Sequence, residues 1–172
     1  MENKVIKTIK SRVSCRNYNS KKVPLSKVMQ IVECGKMAPS ARNRQIANIL
    51  VLRSKKYVEK LRKLSLETMQ RDVYYGANTL VLVYAPREER LAVQDCSCIL
   101  ENMFIAATSL NIDSCWINQT DEILNSPKGV KFKKSLGIEE NAFIVGTCIL
   151  GYCDDKSKLV VKERKEDFIK IL

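Results

Sequence analysis

Two short segments carry side chains whose types and spacing could bind a small molecule. The first, Arg12-Val13-Ser14-Cys15-Arg16, places two arginines four residues apart around a serine. Guanidinium and hydroxyl donors in this arrangement suit a phosphate dianion. The second, Ala38-Pro39-Ser40-Ala41-Arg42-Asn43-Arg44-Gln45, supplies uncharged side chains that donate and accept hydrogen bonds. Together they predict a site for a nucleotide-like cofactor, with a phosphate at one end and a planar, hydrogen-bonding heterocycle at the other.

The residue types that are absent exclude several other chemistries. The 172 residues include no histidine, which rules out Ser-His and Cys-His nucleophilic mechanisms. The seven cysteines are an odd number and form no Cys-x-x-Cys pair, the nearest spacing being Cys96-Ser97-Cys98. We therefore expect reduced thiols that mostly pack in the core. We expect no metal site, because zinc would need a thiolate cluster at irregular spacing.

The net charge of +11 raises the question of a nucleic-acid partner. The lysines are scattered along the whole chain, however, with acidic neighbours such as Glu59, Glu67 and Glu101. No basic run is interleaved with aromatic residues, and no known nucleic-acid-binding motif is present. We expect a solvated, lysine-rich surface that attracts small anions, and no nucleic acid. A basic nucleic-acid-binding protein stays open as the alternative.

The sequence shows no pattern of a targeting or membrane-spanning segment. Residues 1–7 lack the apolar region of a secretory signal, and no apolar run approaches the roughly 20 residues of a membrane span. We therefore expect a cytoplasmic protein with no membrane partner. Its length favours a single domain over residues 1–172.

Hydrophobic spacing predicts the elements that must position the two segments. The predicted helices span about 5–12, 26–39, 54–69 and 91–110, and the predicted strands span 46–52, 79–84, 114–117 and 142–150. The fourth helix is apolar on nearly every side, which indicates a central, buried position. Strands separated by helices indicate a mixed α/β arrangement. The tail, residues 153–172, is too short for a core of its own, so we expect it to pack on a partner subunit.

Five motifs in chain order are similar to those of one known family. They are Arg12-Val13-Ser14-Cys15-Arg16-Asn17-Tyr18, Ala38-Pro39-Ser40-Ala41-Arg42-Asn43-Arg44-Gln45, Gln94-Asp95 with Asn102 and Ala106-Ala107, Ser114-Cys115-Trp116-Ile117, and Gly151-Tyr152 with Lys162-Glu163-Arg164. They resemble the Arg-x-Ser-x-Arg-x-aromatic opening, the Ala-Pro-Ser-x-x-Asn-x-Gln segment, the central helix, the following strand and the C-terminal end of the nitroreductase family. The resemblance implies an α+β fold, with a mostly antiparallel central sheet flanked by helices and a long buried central helix.

The resemblance also implies where a cofactor binds. Family members are homodimers with FMN at the subunit interface, and one set of residues would hold the phosphate and ribityl end: Arg12, Val13, Ser14, Arg16, Lys162 and Arg164. A second set, from the opposite chain, would border the isoalloxazine ring: Pro39, Ser40, Asn43 and Gln45. Trp116 and Ile117 would lie along the other side of the ring.

The implied activity is an FMN-dependent oxidoreductase that uses NADH or NADPH. A nitroaromatic, a quinone or a similar small molecule would be the electron acceptor, reduced by a ping-pong hydride mechanism. No protein side chain is expected to be catalytic, because the flavin carries the chemistry. Ile46-Ala47 stands where many members have Pro-Trp, and Asn118-Gln119 where a Gly is common, so the substrate stays open. A specialised member such as a reductive dehalogenase, and a non-catalytic flavin carrier, remain alternatives.

Overall fold

A four-stranded sheet organises the chain in a computed structural model that describes residues 2–165, 167 and 169–171. Its strands are β1 (Asn48–Leu52), β2 (Thr79–Pro86), β3 (Asp113–Ile117) and β4 (Ala142–Gly151), in the spatial order β1-β2-β4-β3. The helices are α1 (Lys4–Ser11), α2 (Leu25–Lys36), α3 (Lys55–Met69), α4 (Ala92–Ser109), α5 (Thr120–Asn125) and α6 (Gly129–Ser135). The three pairings between these strands are antiparallel, which confirms the α+β prediction.

The sheet is covered on both faces, so its central strands β2 and β4 are almost continuously apolar. On one face, α3, α5 and α6 contribute to a core that includes Leu61, Leu64 and Ile123. On the other, α2 and α4 contribute to a second core that includes Ile31 and Leu100. Because successive strand residues point to opposite faces, each strand supplies side chains to both cores.

Helix α4 packs closely on α2, with one side left uncovered in the single chain. A Cβ atom at Gly35 would lie 2.8 Å from the Met103 side chain, so only glycine permits this approach. Asn102 Nδ2 also donates to the carbonyl of Cys34 at 3.1 Å. The prediction of a buried central helix holds for the face of α4 that includes Leu100 and Met103, whereas Val93 is 51% exposed. No helix among the described residues is long and apolar enough to span a membrane.

Some predicted boundaries and one predicted arrangement were wrong. Helix α2 begins at Leu25 and not after a Ser26 cap, because Pro24 occupies the capping position and its carbonyl accepts hydrogen bonds from Lys27 N and Val28 N. The alternation of strands and helices indicated a mixed α/β arrangement, whereas the strand pairings are antiparallel. Alternation along the chain does not determine the direction of the strands. Helices α5 and α6 were not predicted, since 6 and 7 residues are too few to show a periodic pattern.

The tail begins beside the sheet and continues along the surface. Tyr18 pairs with Cys153 as an antiparallel bridge, and a short 3₁₀ turn spans Lys156–Lys158. Beyond it, Val160 and Ile169 are 68% and 78% exposed. Met1 of the predicted domain, and Glu166, Phe168 and Leu172 of the predicted tail, lie outside the described residues.

Lys133 is an exception to the solvated lysines expected from the sequence, because only 2% of it is exposed. Its Nζ donates to Asn125 Oδ1 at 3.0 Å and to the carbonyls of Glu140 and Ala142 at 2.9 and 2.8 Å. Burial lowers the pKa of this ammonium. Three hydrogen bonds compensate the buried charge and join α6 to the start of β4.

We predict that Lys133→Met lowers the free energy of unfolding by about 1–3 kcal/mol, because it leaves the buried Ala142 carbonyl and two partly buried acceptors without their donor. The control is Lys134→Met, which makes the same change at the exposed neighbouring position and should alter stability by less than about 0.5 kcal/mol. Denaturant unfolding measures both. Equal stability of the two variants would contradict a structural role for the Lys133 ammonium.

Candidate functional site

The Arg12–Arg16 segment leaves α1 and docks beside β3. Cys15 N donates to the carbonyl of Ser114 at 2.9 Å, and Ser14 forms a parallel bridge with Ser114. Cys15 is fully buried, whereas Arg16 is exposed. Since alternate residues of an extended segment point in opposite directions, anchoring Cys15 in the core turns Ser14 and Arg16 the other way.

The C-terminal tail returns over this segment and closes a cavity of about 230 Å³. Asp154 N donates to the carbonyl of Asn17 at 3.0 Å, which brings the tail alongside. The cavity is lined by Arg12, Val13, Ser14, Arg16, Lys158, Val160, Val161, Lys162 and Arg164. All six residues predicted for the phosphate end therefore share one cavity. Lys158 also lines it, and nothing distinguished this lysine from its many neighbours in the sequence.

The electrostatics of this cavity favour an anion. Five of its lining residues carry a positive charge and none carries a negative one. Two of the five have acidic neighbours outside the lining, with Arg12 Nε 3.9 Å from Glu101 and Lys158 Nζ 3.3 Å from Asp155. Three cations thus remain unpaired within the described residues, beside the Ser14 hydroxyl. Guanidinium forks and a hydroxyl are well suited to phosphate oxygens.

The second segment forms a strained loop. After α2 the chain is extended at Ser40, and a 3₁₀ turn spans Ala41–Asn43. Arg42, Asn43 and Gln45 all have positive φ, between 51° and 54°. Non-glycine residues rarely adopt this conformation, which costs on the order of 1 kcal/mol each and occurs where surrounding contacts impose it.

Specific hydrogen bonds impose the shape of this loop. Ser40 Oγ accepts from Gln45 N at 3.1 Å, and the Ser40 carbonyl accepts from Asn43 N at 2.9 Å. Asp95, in the first turns of α4, accepts from Ala41 N at 3.0 Å. Gln45 Nε2 donates to Asn43 Oδ1 at 3.0 Å, so the exposed amides form a fixed pair. The loop is a rigid polar surface, with Pro39 exposed at its start.

Within one chain the two predicted halves of the site are separate. The cavity of Arg12 and Arg16 includes none of residues 39–45 among its lining. The loop instead borders a different cavity of about 330 Å³ together with Leu91 and Asp95. The structure thus brings the phosphate residues together and leaves the ring residues apart from them.

Trp116 and Ile117 point to opposite faces of the sheet. The Trp116 ring lies 6.1 Å from that of Phe104, and Gly146 leaves room for it, since a Cβ there would lie 2.6 Å from the indole nitrogen. Ile117 is buried in the core on the other face. Because β3 alternates, the Ile117 side chain faces the core, and only the backbone of Ile117 is left to lie along the ring with Trp116. Trp116 keeps a partly exposed edge.

The cysteines near the cavity are not activated thiols. Burial raises the pKa of Cys15 to about 12, and it also raises the pKa of Cys115 despite the nearby guanidinium of Arg16. Thiols of this kind stay protonated at neutral pH and are poor nucleophiles. Among the described residues, no group of three or more Cys, Asp or Glu side chains is arranged to hold a metal ion.

Comparisons with known proteins identify the family of this chain. A model described as the nitroreductase family matches residues 9–152. An Archaeoglobus fulgidus protein with the provisional name NADH dehydrogenase/NAD(P)H nitroreductase is 29% identical over 158 residues, covering 88% of this chain and 86% of that protein.

Solved structures show the same fold. A Bacteroides fragilis nitroreductase with bound FMN is 33% identical, with a TM-score of 0.87 over 99% of this chain and 100% of that one. A Desulfitobacterium hafniense nitroreductase with bound FMN has a TM-score of 0.89 at 24% identity, over 100% of both chains. The resemblance and the fold inferred from the sequence are confirmed: the chain belongs to the nitroreductase family.

Proposed function

We propose that this protein is an FMN-dependent oxidoreductase that oxidises NADH or NADPH and reduces a small-molecule acceptor such as a nitroaromatic or a quinone. The observation that carries the proposal is the cationic cavity in which Arg12, Ser14 and Arg16 meet Lys162 and Arg164. The proposal is also supported by a relative, because the Bacteroides fragilis nitroreductase, which is 33% identical to this chain, has bound FMN.

The cavity residues fit the phosphate end of FMN. A phosphate monoester carries nearly two negative charges at neutral pH, and the lining offers several cations and a hydroxyl without an opposing carboxylate. Val13, Val160 and Val161 add apolar contacts for the carbon chain that follows the phosphate. A cavity of about 230 Å³ suits this end of the cofactor, and the ring system must lie beyond it.

The loop of Ser40, Asn43 and Gln45 supplies the polar surface for the ring. Its amides are neutral, so they hydrogen-bond a heterocycle edge without favouring one charge state. Its backbone is held by Asp95 and by its own hydrogen bonds, so binding requires little reordering. Bound FMN supplies the hydride chemistry, from nicotinamide to acceptor in two half-reactions at one site. The protein positions the reactants and needs no side-chain acid or base.

A second copy of the chain completes the site in this proposal. Every residue of α1 lies outside the buried core, and Val5 and Ile9 are 60% and 48% exposed. Val5 lines a largely apolar groove of about 410 Å³ between α1 and α4, bordered also by Met37 and Ile105, and Ile9 lies one turn after Val5 on the same face of α1. Exposed apolar side chains beside an apolar groove often mark a protein–protein interaction site. We infer a homodimer, since each chain separates its phosphate half from its ring half.

The tail and the cellular location follow from the same proposal. The exposed Ile169 and Ile171 give the tail apolar side chains that a partner subunit would cover. The seven cysteines are unpaired. Unpaired thiols are usual in the reducing environment of the cytoplasm, which is the location that we propose.

The direct test is flavin reduction. Protein reconstituted with FMN should be yellow, and NADH or NADPH should bleach its flavin absorbance without oxygen, after which a quinone or nitroaromatic should restore it. Stopped-flow absorbance under anaerobic conditions measures both steps. Yellow protein that neither nicotinamide bleaches would indicate a flavin carrier, and colourless protein that cannot be reconstituted would overturn the proposal.

A second prediction concerns the phosphate. Arg16→Ala should weaken FMN binding about 10- to 100-fold, because it removes a charge-assisted contact worth about 1.5–3 kcal/mol. Binding of riboflavin, which lacks the phosphate, should be unchanged, and fluorescence titration measures both ligands. The control Lys60→Ala removes one positive charge from a different cavity. Unchanged FMN affinity in Arg16→Ala would refute its assignment to the phosphate.

A third prediction concerns the dimer. Ile9→Asp should yield a folded monomer that does not retain FMN, because Ile9 is half-exposed in the single chain and its substitution places a charge in the apolar interface. Lys7→Gln, on the same helix and with the same change in charge, is the control. Sedimentation and bound-flavin absorbance report the outcome. A dimeric Ile9→Asp variant with full FMN content would place the interface elsewhere.

A further inference from the structure

The loop of Arg42 borders a cavity that the FMN proposal does not use. It has a volume of about 330 Å³ and is lined by Ala41, Arg42, Arg44, Ile46, Arg90, Leu91 and Asp95. None of these residues lines the phosphate cavity of Arg12 and Arg16. The loop thus contributes one surface to the ring and another to this second cavity.

Two of its three arginines are available for a ligand. Arg44 is occupied, because its guanidinium binds Glu89 through two hydrogen bonds of 2.6 and 2.8 Å. Arg42 and Arg90 have no acidic partner among the described residues, and both are exposed. The cavity therefore offers two guanidinium groups to solvent, against one carboxylate in its lining.

The beginning of α4 adds to the positive potential. Leu91 precedes the first turn and gives no side-chain cap to its backbone N–H groups. The positive end of the helix dipole therefore faces the same cavity as Arg42 and Arg90. This helix terminus thus lies at the same cavity as the two unpaired guanidinium groups.

Asp95, in the same lining, has one carboxylate oxygen that lacks a donor. It is only 5% exposed, and its Oδ1 accepts from Ala41 N at 3.0 Å. Its Oδ2 is buried without a hydrogen-bond partner among the described residues, which costs about 1–3 kcal/mol or more for a charged group. A guanidinium has five donors, so an arginine drawn in by a bound anion could also donate to this oxygen.

We propose that Arg42 and Arg90 bind the anionic group, a carboxylate or a phosphate, of a substrate whose reactive part lies on the flavin. This rests on the proposed function, which assigns Ser40 and Asn43, on either side of Arg42, to the ring. The left-handed φ of 53° at Arg42 fixes where its side chain leaves the loop. Ile46 and Leu91 give the cavity apolar walls for the body of the substrate.

Two sources could supply this anion. The electron donor carries phosphates, whereas an acceptor can carry a carboxylate. The experiment therefore uses Arg42→Gln and Arg90→Gln in FMN-loaded protein, with Arg71→Gln as the control, an exposed arginine outside the lining of both cavities.

Steady-state kinetics separates the sources. An uncharged pair, N-benzyl-dihydronicotinamide with nitrobenzene, should keep its kcat/KM within about twofold in both variants, because it has no anion to lose. Replacing the donor by NADH tests the phosphate, and replacing the acceptor by 4-nitrobenzoate tests the carboxylate. We expect kcat/KM for one of them to fall about 10-fold or more, since a charge-assisted hydrogen bond contributes about 1.5–3 kcal/mol.

Equilibrium binding gives a readout that does not require turnover. Calorimetric titration of 4-nitrobenzoate and of ADP-ribose into FMN-loaded protein should show a loss of affinity for the same one of the two anions whose kcat/KM falls, with full FMN content and an unchanged melting temperature. A similar loss of kcat/KM for the uncharged pair would indicate a damaged flavin site. It would contradict a role of these arginines that is confined to the anion. Unchanged affinity and kcat/KM for both anionic ligands would overturn the assignment. If wild-type protein binds these ligands but reduces nothing, the proposed function fails while the anion site stands.

Discussion

The hydrogen bonds that dock the Arg12–Arg16 segment against β3 and the tail are the constraint on which the candidate site depends. Cys15 N binds the carbonyl of Ser114, and Asp154 N binds the carbonyl of Asn17, so both ends of the chain meet at one edge of the sheet. Burying Cys15 directs the neighbouring Ser14 and Arg16 toward the cavity. Without this docking, the basic side chains of the tail would be dispersed in solvent. With it, they line a single cavity.

Helix α4 connects the two halves of the site to the core. Asp95, near its beginning, holds the loop through Ala41, and Glu101, further along, lies 3.9 Å from Arg12. Between them, Leu100 and other apolar residues fix the helix on the sheet. The strain of three left-handed residues in the loop is sustained because it is anchored to this helix. The packing of α4 in the core thus holds the loop in place as a rigid surface for a ligand.

The sequence predicted the residue types of the site better than their directions. Arg12, Ser14 and Arg16 were recognisable because donors at that spacing suit a phosphate, and family motifs added the tail. The sequence could not indicate that the Ile117 side chain faces the core, because this direction depends on how β3 pairs with β4. Lys133 was missed because its partners, two of them backbone carbonyls, come together only in the folded chain. The left-handed loop gave no signal, since it contains no glycine.

The central claim is that each flavin site is shared by two chains, and a mixed dimer tests it most directly. One chain would carry Arg16→Ala, which damages the phosphate half, and the other Asn43→Ala with Gln45→Ala, which damages the ring half. Differently tagged chains, unfolded and refolded together, give a mixed dimer whose FMN content is measured by absorbance after dialysis. If the site is shared, the mixed dimer has one intact FMN site, whereas the homodimer of either variant binds FMN weakly. Equally weak FMN binding by the mixed dimer and by both variant homodimers would show that each chain builds its own site, and would contradict this account.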